Sequence, residues 1–541
     1  MKSSNDHIYL ARIVVEANTP LRIGTGTTGA MSDDIVARDV NGLPFLPATS
    51  LVGVLRHTYE DAFKDTDKTN HLFGFRGEGA TEDEPSSGAG SLVVVTNGCL
   101  LKESGDKCHE VIENIASMTE KSAYYQAILD MPTREHVRIS HRGAAEDGGK
   151  FDKEVVVKGT RFVFEIELSG TKEEIKEWSS LLNIIHQEYF RIGGGTRNGF
   201  GDLNIITCNH RIYNLRTPED LDAYLNKQNS LNAPFGGATP FLGKEDIPGN
   251  FIEYRVKLKP EYFFLFGAGF AGELANHHGK TEKSLDWSSG KPQVVKKSIL
   301  VPATSIKGAI AHRVAFHYND LTGTTIESSS ANAVPGLGID GNAIVDNFDF
   351  QQVIDAEGMP IKSHDTIGWD KLKRAVEKIS LEDMEEWEEV KNQVDDQRSA
   401  AEKGSTLADI GINNAAVREL FGYAKEDCEG QRGRVISSDV FIPIGKTSSK
   451  VLPHLKVDRF TGGAYGGALY YEEVTTTKED FDLKFQVDSQ AFQREFVREA
   501  FEETLNDLCE GRLPLGGNVN KGHGAFLGSW SSSASKEPIQ L

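Results

Sequence analysis

PATSLVG, residues Pro47 to Gly53, returns as PATSIKG, residues Pro302 to Gly308, and His57 falls opposite His312 at the same spacing. Chance does not explain a seven-residue echo followed by a matched histidine. Working outward, Leu72-Phe73-Gly74 recurs as Leu420-Phe421-Gly422, and His136 with Gly148-Gly149 recurs as His454 with Gly466-Gly467. The chain closes each round with glycines: Gly193, Gly194, Gly199 and Gly201 recur as Gly516, Gly517, Gly522 and Gly524. The 541 residues therefore read as two diverged copies of one domain.

The drift between matches places about 93 extra residues in the second copy, near 318–412, and about 30 in the first, between 75 and 135. A turn-rich stretch, 213–250, separates the copies. The expected division is 1–245 and 246–541. Each copy reads as an opening strand, a Gly-rich loop, a helix, further strands with a hairpin-like excursion, and a closing Gly-rich turn, which is an α+β class. Thr49-Ser50 and Thr304-Ser305 are expected N-caps, before apolar positions Leu51, Leu55 and Tyr59 in one copy and Ile306, Ile310 and Val314 in the other. Gly53 and Gly308 sit early in these helices, where glycine costs about 1 kcal/mol, so a close backbone or ligand approach is expected there.

Several function classes fall away on motif mechanics. Gly24-Thr25-Gly26-Thr27-Thr28-Gly29 imitates a dinucleotide fingerprint, but no helix opens at its third glycine to receive a pyrophosphate, so no dinucleotide cofactor is expected. Gly272 to Gly279-Lys280-Thr281 has too many residues between its glycines for a P-loop. No G-x-S-x-G elbow is present, and His277-His278 lack a correctly spaced third metal ligand. The five cysteines, Cys99, Cys108, Cys208, Cys428 and Cys509, form no C-x-x-C and read as idle thiols. Neither a leader peptide nor a membrane span is expected, which points to the cytoplasm.

The net charge of −21 weighs against a globally basic nucleic-acid binder, yet it does not exclude a local basic face. Arg138 to Gly149 and Lys456 to Gly467 each join cations to a small-residue turn, the composition of a hairpin arm that tracks nucleic acid. The Gly-rich closing loops, each with Arg or Lys, suit a backbone lying close to phosphates. Asp33 and Asp34 lie in the first Gly-rich loop, and Asp286 is the single aspartate of the comparable stretch 267–301. A loop carboxylate can ligate Mg²⁺ or help activate a ribose hydroxyl.

Taken together, Leu21-Arg22-Ile23-Gly24, Asp33, Arg38-Asp39, Gly42-Leu43-Pro44-Phe45-Leu46-Pro47, Ser50-Leu51, Gly53, the L-F-G and the closing loop resemble the RAMP superfamily. More narrowly, the chain is similar to backbone subunits of type III CRISPR effector complexes, two copies fused as in type III-D-like systems. The resemblance implies tandem RRM-like (ferredoxin-like) domains, each with a thumb hairpin, at about 133–158 and 453–475. It also implies guide CRISPR RNA, target RNA and other CRISPR effector subunits as partners, and target cleavage by loop aspartates with Mg²⁺ or another divalent metal. Carried onto this sequence, Asp33 is the first catalytic and metal-binding candidate, Asp286 the second, and Asp34 the reserve. The expected RNA contacts are Arg22, Ser50, Arg56, Arg138, Arg142, Gly194, Arg197, Lys307, Lys456, Arg459 and Lys521. The alternatives are a non-catalytic RNA-binding subunit and a repeat-processing RNase working through His57 or His312.

Overall fold

A computed structural model describes residues 5–26, 34–77, 88–110, 113–120, 122–139, 145–243, 247, 250–269, 271–272, 274–323, 413–423 and 430–534. Asp33, Arg142 and nearly all of the insertion expected at 318–412 lie outside the described residues. By contacts the chain divides into two units, residues 1–310 with 433–493 and 504–541, and residues 311–432 with 494–503. Both sequence copies contribute to the first unit.

In the first copy, strand β1 (His7–Ala17) is rich in β-branched and aromatic residues, and most of its side chains are buried. Helix α1 (Ala48–Phe63) follows, then β2 (Val93–Val95), the short β3 (Cys99–Leu100), and the hairpin of β4 (Thr133–Ile139) and β5 (Ala145–Glu154). Strand β6 (Arg161–Gly170), helix α2 (Ile175–Ile185) and β7 (Leu203–Asn214) follow, and the short strand Thr239–Pro240 pairs on the outer edge of β7. The sheet runs β2-β6-β1-β7, antiparallel throughout, and β1 pairs along its full length with both neighbours.

The second copy repeats this with β8 (Phe251–Pro260), a hairpin of β9 (Thr281–Asp286) and β10 (Gln293–Val301), and helix α3 (Ala303–Leu321). It continues through β11 (Val435–Ser437), β12 (Val440–Pro443), the long hairpin of β13 (Thr447–Val457) and β14 (Ala464–Thr477), then β15 (Phe481–Asp488), α4 (Val497–Cys509) and β16 (Phe526–Ser532). Its sheet runs β11-β15-β8-β16. In each copy the second, third, first and fourth core strands lie side by side in that order, with one helix after the first strand and one after the third. That is the ferredoxin-like arrangement, twice.

Two local expectations change. Helix α1 begins at Ala48, with Pro47 as its N-cap and no side-chain cap bond, because the Ser50 and Leu51 N–H groups already close on the Pro47 carbonyl at 3.0 and 3.1 Å. Helix α3 starts the same way on Pro302, and its Ala303 N–H donates to Asp439 Oδ1 at 2.8 Å. The glycines of the L-F-G repeats stop their helices alike, Gly74 and Gly422 both at φ 74°, a conformation open to glycine. A Cβ at Gly53 or Gly308 would meet open space, so no protein backbone explains either residue.

The two copies are joined by more than the chain. Leu285 and Trp287, at the tip of the β9–β10 hairpin, are buried members of the first copy's hydrophobic core. The Leu285 N–H donates to the Lys158 carbonyl at 2.8 Å, and the Trp287 indole donates to the Gly159 carbonyl at 2.7 Å. The Arg161 guanidinium lies 4.1 Å from the Trp287 ring centroid. Gly159, at φ 87°, leaves the room that the Leu285 backbone occupies. Arg134 is buried between two second-copy carboxylates, bidentate to Glu282 at 2.7 and 2.9 Å and 2.5 Å from Asp439. Among the described residues no helix is long and apolar enough to cross a membrane.

Replacing the plug with Trp287→Ala should cost about 3–5 kcal/mol, the usual penalty for emptying a buried aromatic site. Urea unfolding of the purified chain measures it.

Candidate functional site

The Gly-rich loop of each copy is rooted in the same backbone ladder. In the first, Ala37 N–H donates to Ile23 O and Thr25 N–H to Ile35 O; in the second, Lys280 donates to Phe266 and Ala268 to His278. Gly24 bridges Val36 and Gly267 bridges Gly279, with identical spacing. Further along, Asp34 lies parallel to Lys153 at the end of the first thumb hairpin, and His277 lies parallel to Glu472 on the second. Glu154 N–H then donates to Asp34 O at 3.0 Å, as Glu473 N–H does to His277 O at 2.8 Å.

This register pairs Asp34 with His277, so the residue before each, Asp33 and Asn276, occupies the same chain position. Asp286 does not enter this comparison: it ends β9, is exposed, and accepts from the Ser288 N–H and hydroxyl, both at 2.9 Å. By this residue the chain has left the loop ladder and turned into the β9–β10 hairpin. Asn276 instead grips the thumb, its N–H donating to the Tyr471 carbonyl and its Oδ1 accepting from the Tyr471 N–H, each at 2.9 Å.

Around the first loop, Arg22 forms an ion pair with Asp34. Glu154 accepts from Val36 N–H at 2.9 Å and from Arg38 at 2.6 Å, holding the loop against the thumb root. Burial, and then Arg22, pulls the Lys153 pKa down. His136 stacks on Phe151 and meets Phe200 edge-on. Its pKa falls to about 4, first through burial and then through Lys153, Lys280, Arg134 and Arg22.

The second copy fills the equivalent ground with charge. Glu472 is fully buried, 2.8 Å from His454 Nε2, and accepts from Lys521 at 2.5 Å and Asn518 at 2.6 Å; His523 Nε2 stands 3.7 Å away. Burial opposes ionisation of Glu472, but its bond to Lys521 and the nearby cations outweigh it and lower its pKa. Lys521, expected to meet RNA, is thereby tied to the thumb. His454 was visible as half of a repeat, whereas Glu472 and His523 carried no motif.

The other expected RNA contacts divide sharply. Arg56 donates to the Gly74 carbonyl and Asn70 and so braces α1. Arg197 donates to the Gly433 carbonyl at 2.8 Å, and Lys307 reaches Asn198 at 3.4 Å, both across the join between copies. Gly194 N–H donates to the Arg22 carbonyl, and Ser50 lies in the first turn of α1. Lys456 and Arg459 are exposed near the tip of the β13–β14 hairpin, beside Phe460 at 90% exposure and Tyr465 at 55%. Arg138 lies on β4. His57 bonds to its own helix at the Gly53 carbonyl, and His312 is an exposed helix residue; neither belongs to these clusters.

The first closing loop also has a different neighbour from the one its glycines implied. Gly199, at φ 99°, bridges Ser438, and a Cβ there would collide with Asp439 and Ala303 of the second copy. Its counterpart Gly522, at φ 84°, faces open space. Among the described residues no group of three or more His, Cys, Asp or Glu is placed to hold a metal ion. Residues 14–204 and 257–526 match the family model of the RAMP superfamily. No curated protein matches the chain.

Two measurements check this geometry. Gly199→Ala should cost about 2–4 kcal/mol, strain plus overpacking, against about 1 kcal/mol for Gly522→Ala in urea unfolding. Because His136 is held neutral, the unfolded chain binds the extra proton below its ordinary pKa. Stability should therefore fall as pH drops from about 6.5 towards 4, by at most about 3 kcal/mol, and His136→Phe should flatten that part of the profile.

Proposed function

The chain belongs to the RAMP superfamily over both of its copies, and from that membership, with its CRISPR-associated RNA-binding role, we propose a type III effector backbone subunit that binds guide RNA and cuts paired target RNA. The copies span 1–245 and 246–541, the subunit works in the cytoplasm beside other CRISPR effector subunits, and the first copy carries the cutting loop. The observation that carries this reading is the anchoring of that loop on both sides of Asp33. Gly24 pairs with Val36, and Asp34 is tied to both Lys153 and Arg22.

Exposed Lys456, Arg459, Phe460 and Tyr465 on the second thumb support RNA binding, since bases stack on aromatic rings while cations meet phosphates. Guide pairing supplies sequence specificity, so a few placed cations suffice on a chain of net charge −21. In this reading Asp33 takes the proton of a target 2′-hydroxyl, whose oxygen attacks the adjacent phosphorus and expels the 5′-oxygen. The described residues do not by themselves fit a resident divalent ion: Asp34 is neutralised by Arg22, and Asp286 stands alone with Ser288. Asp33 and the RNA phosphates together would hold such an ion, which would stabilise the charge developing on the phosphate. One cut per chain follows, because Asn276 stands in the second copy where Asp33 stands in the first.

In the complex reconstituted with guide RNA, Asp33→Ala should slow this chain's cut by about 100-fold or more while guide binding is unchanged. Asp286→Ala should leave every product in place. Full cleavage by Asp33→Ala would instead make the chain a non-catalytic RNA-binding subunit.

A further inference from the structure

The cysteines scattered in the sequence do not stay scattered. Cys99 opens β3 and pairs with Val163 of β6. Two residues later Leu101 forms an antiparallel bridge with Cys108, framed by backbone bonds from Lys102 to Lys107 and from His109 to Leu100. Residues two apart on a strand share a face, so Cys99, Leu101 and Cys108 point the same way. They pack together around Val163, and the Cys99 thiol donates to the Asn97 carbonyl at 3.8 Å.

The pair is asymmetric. Cys108 is buried, and Asn232 brackets its backbone by accepting from its N–H at 2.7 Å and donating to its carbonyl at 3.1 Å. Cys99 is half-buried. The neighbouring Cys99, then burial, pushes the Cys108 thiol up, while the half-buried Cys99 is the one a solvent oxidant reaches first. This division of labour suits an attacking and a resolving sulfur.

The segment closed by the pair is placed where its state matters. Its tip, Gly105 at φ 80°, lies so close to Trp287 that a Cβ would stand 3.1 Å from the indole. Tyr124, which donates to the Leu101 carbonyl at 2.7 Å, meets the same indole edge-on. The loop between the cysteines is thus one wall of the seat that receives the second copy's plug.

We propose that Cys99 and Cys108 form a redox-modifiable pair that hydrogen peroxide converts into an intramolecular disulfide across the base of the Gly105 loop. The Cys99 thiolate attacks one peroxide oxygen, the O–O bond breaks, and hydroxide leaves to take a proton, giving Cys99 sulfenic acid and water. The Cys108 sulfur then attacks the Cys99 sulfur, the S–O bond breaks, and the hydroxide leaves with the Cys108 proton as a second water. Two electrons pass from the sulfurs to the peroxide. Diagonal cross-strand neighbours stand about 7–8 Å apart at Cα, just outside disulfide reach, so closing the bond requires the two segments to draw together. That movement falls on a short two-stranded segment, held by the Lys102–Lys107 and His109–Leu100 backbone bonds and by Asn232.

Hydrogen peroxide on the full-length chain, followed by peptide mapping, tests this. The expected product is one Cys99–Cys108 linked peptide, reversed by dithiothreitol and formed about tenfold faster than any change at Cys208 or Cys509. Burial raises those two thiols to about 12 and about 11. In Cys108→Ser, Cys99 should accumulate as a sulfenic acid that dimedone traps. The proposal fails if wild-type Cys99 is trapped or over-oxidised with Cys108 still a free thiol, or if Cys208 reacts first.

Discussion

Arg134 is the constraint on which the rest of the architecture turns. A guanidinium 3% exposed cannot stay charged without partners, and both partners come from the other copy. Burial works against its charge, but Asp439 and Glu282 outweigh that and raise its pKa, while burial raises the pKa of Asp439. Both carboxylates also serve their own copy, since Asp439 caps helix α3 through Ala303 and Glu282 lies on the strand that leads to Trp287. Breaking the ion cluster would therefore reach the helix start and the plug together.

The join sets the two closing loops apart. Gly199, Arg197 and Asn198 of the first closing loop are committed to the second copy, whereas Gly522 of the second closing loop faces open space. The second hairpin likewise leaves Leu455, Phe460, Tyr465 and Leu469 exposed. Within the thumb and loop cluster, the first copy holds His136 between aromatic rings beside the Asp34 loop, and the second holds His454 on a buried, ion-paired Glu472. One scaffold thus carries two electrostatic environments, and only one of them includes an aspartate before the anchored loop residue.

Much of the fold was legible because it was written twice. The repeat located both helices, both thumbs and both closing loops, and the family match covers both copies. Less legible was anything that depends on one copy meeting the other. Nothing in Arg197 or Lys307 distinguishes a cation for RNA from a cation for a carbonyl, since both need only exposure before assembly. Asp286 comes from a loop length taken from the next PATS motif, and the plug hairpin that carries it has no counterpart in the first copy's pattern. The N-caps failed more locally, because a Pro carbonyl can start a helix without help from Thr49 or Ser50. Glu472 and the pairing of Cys99 with Cys108 were not legible, because Glu472 meets partners far away in sequence and the two cysteines carry no spacing signature.

The account stands on the two copies being locked through buried charge, and a double-mutant cycle on Arg134→Ala and Glu282→Ala reads that most directly. Unfolding free energies should show each single change costing about 3–5 kcal/mol, with the double variant recovering at least about 1.5 kcal/mol of their sum. Additivity within about 0.5 kcal/mol would contradict the lock.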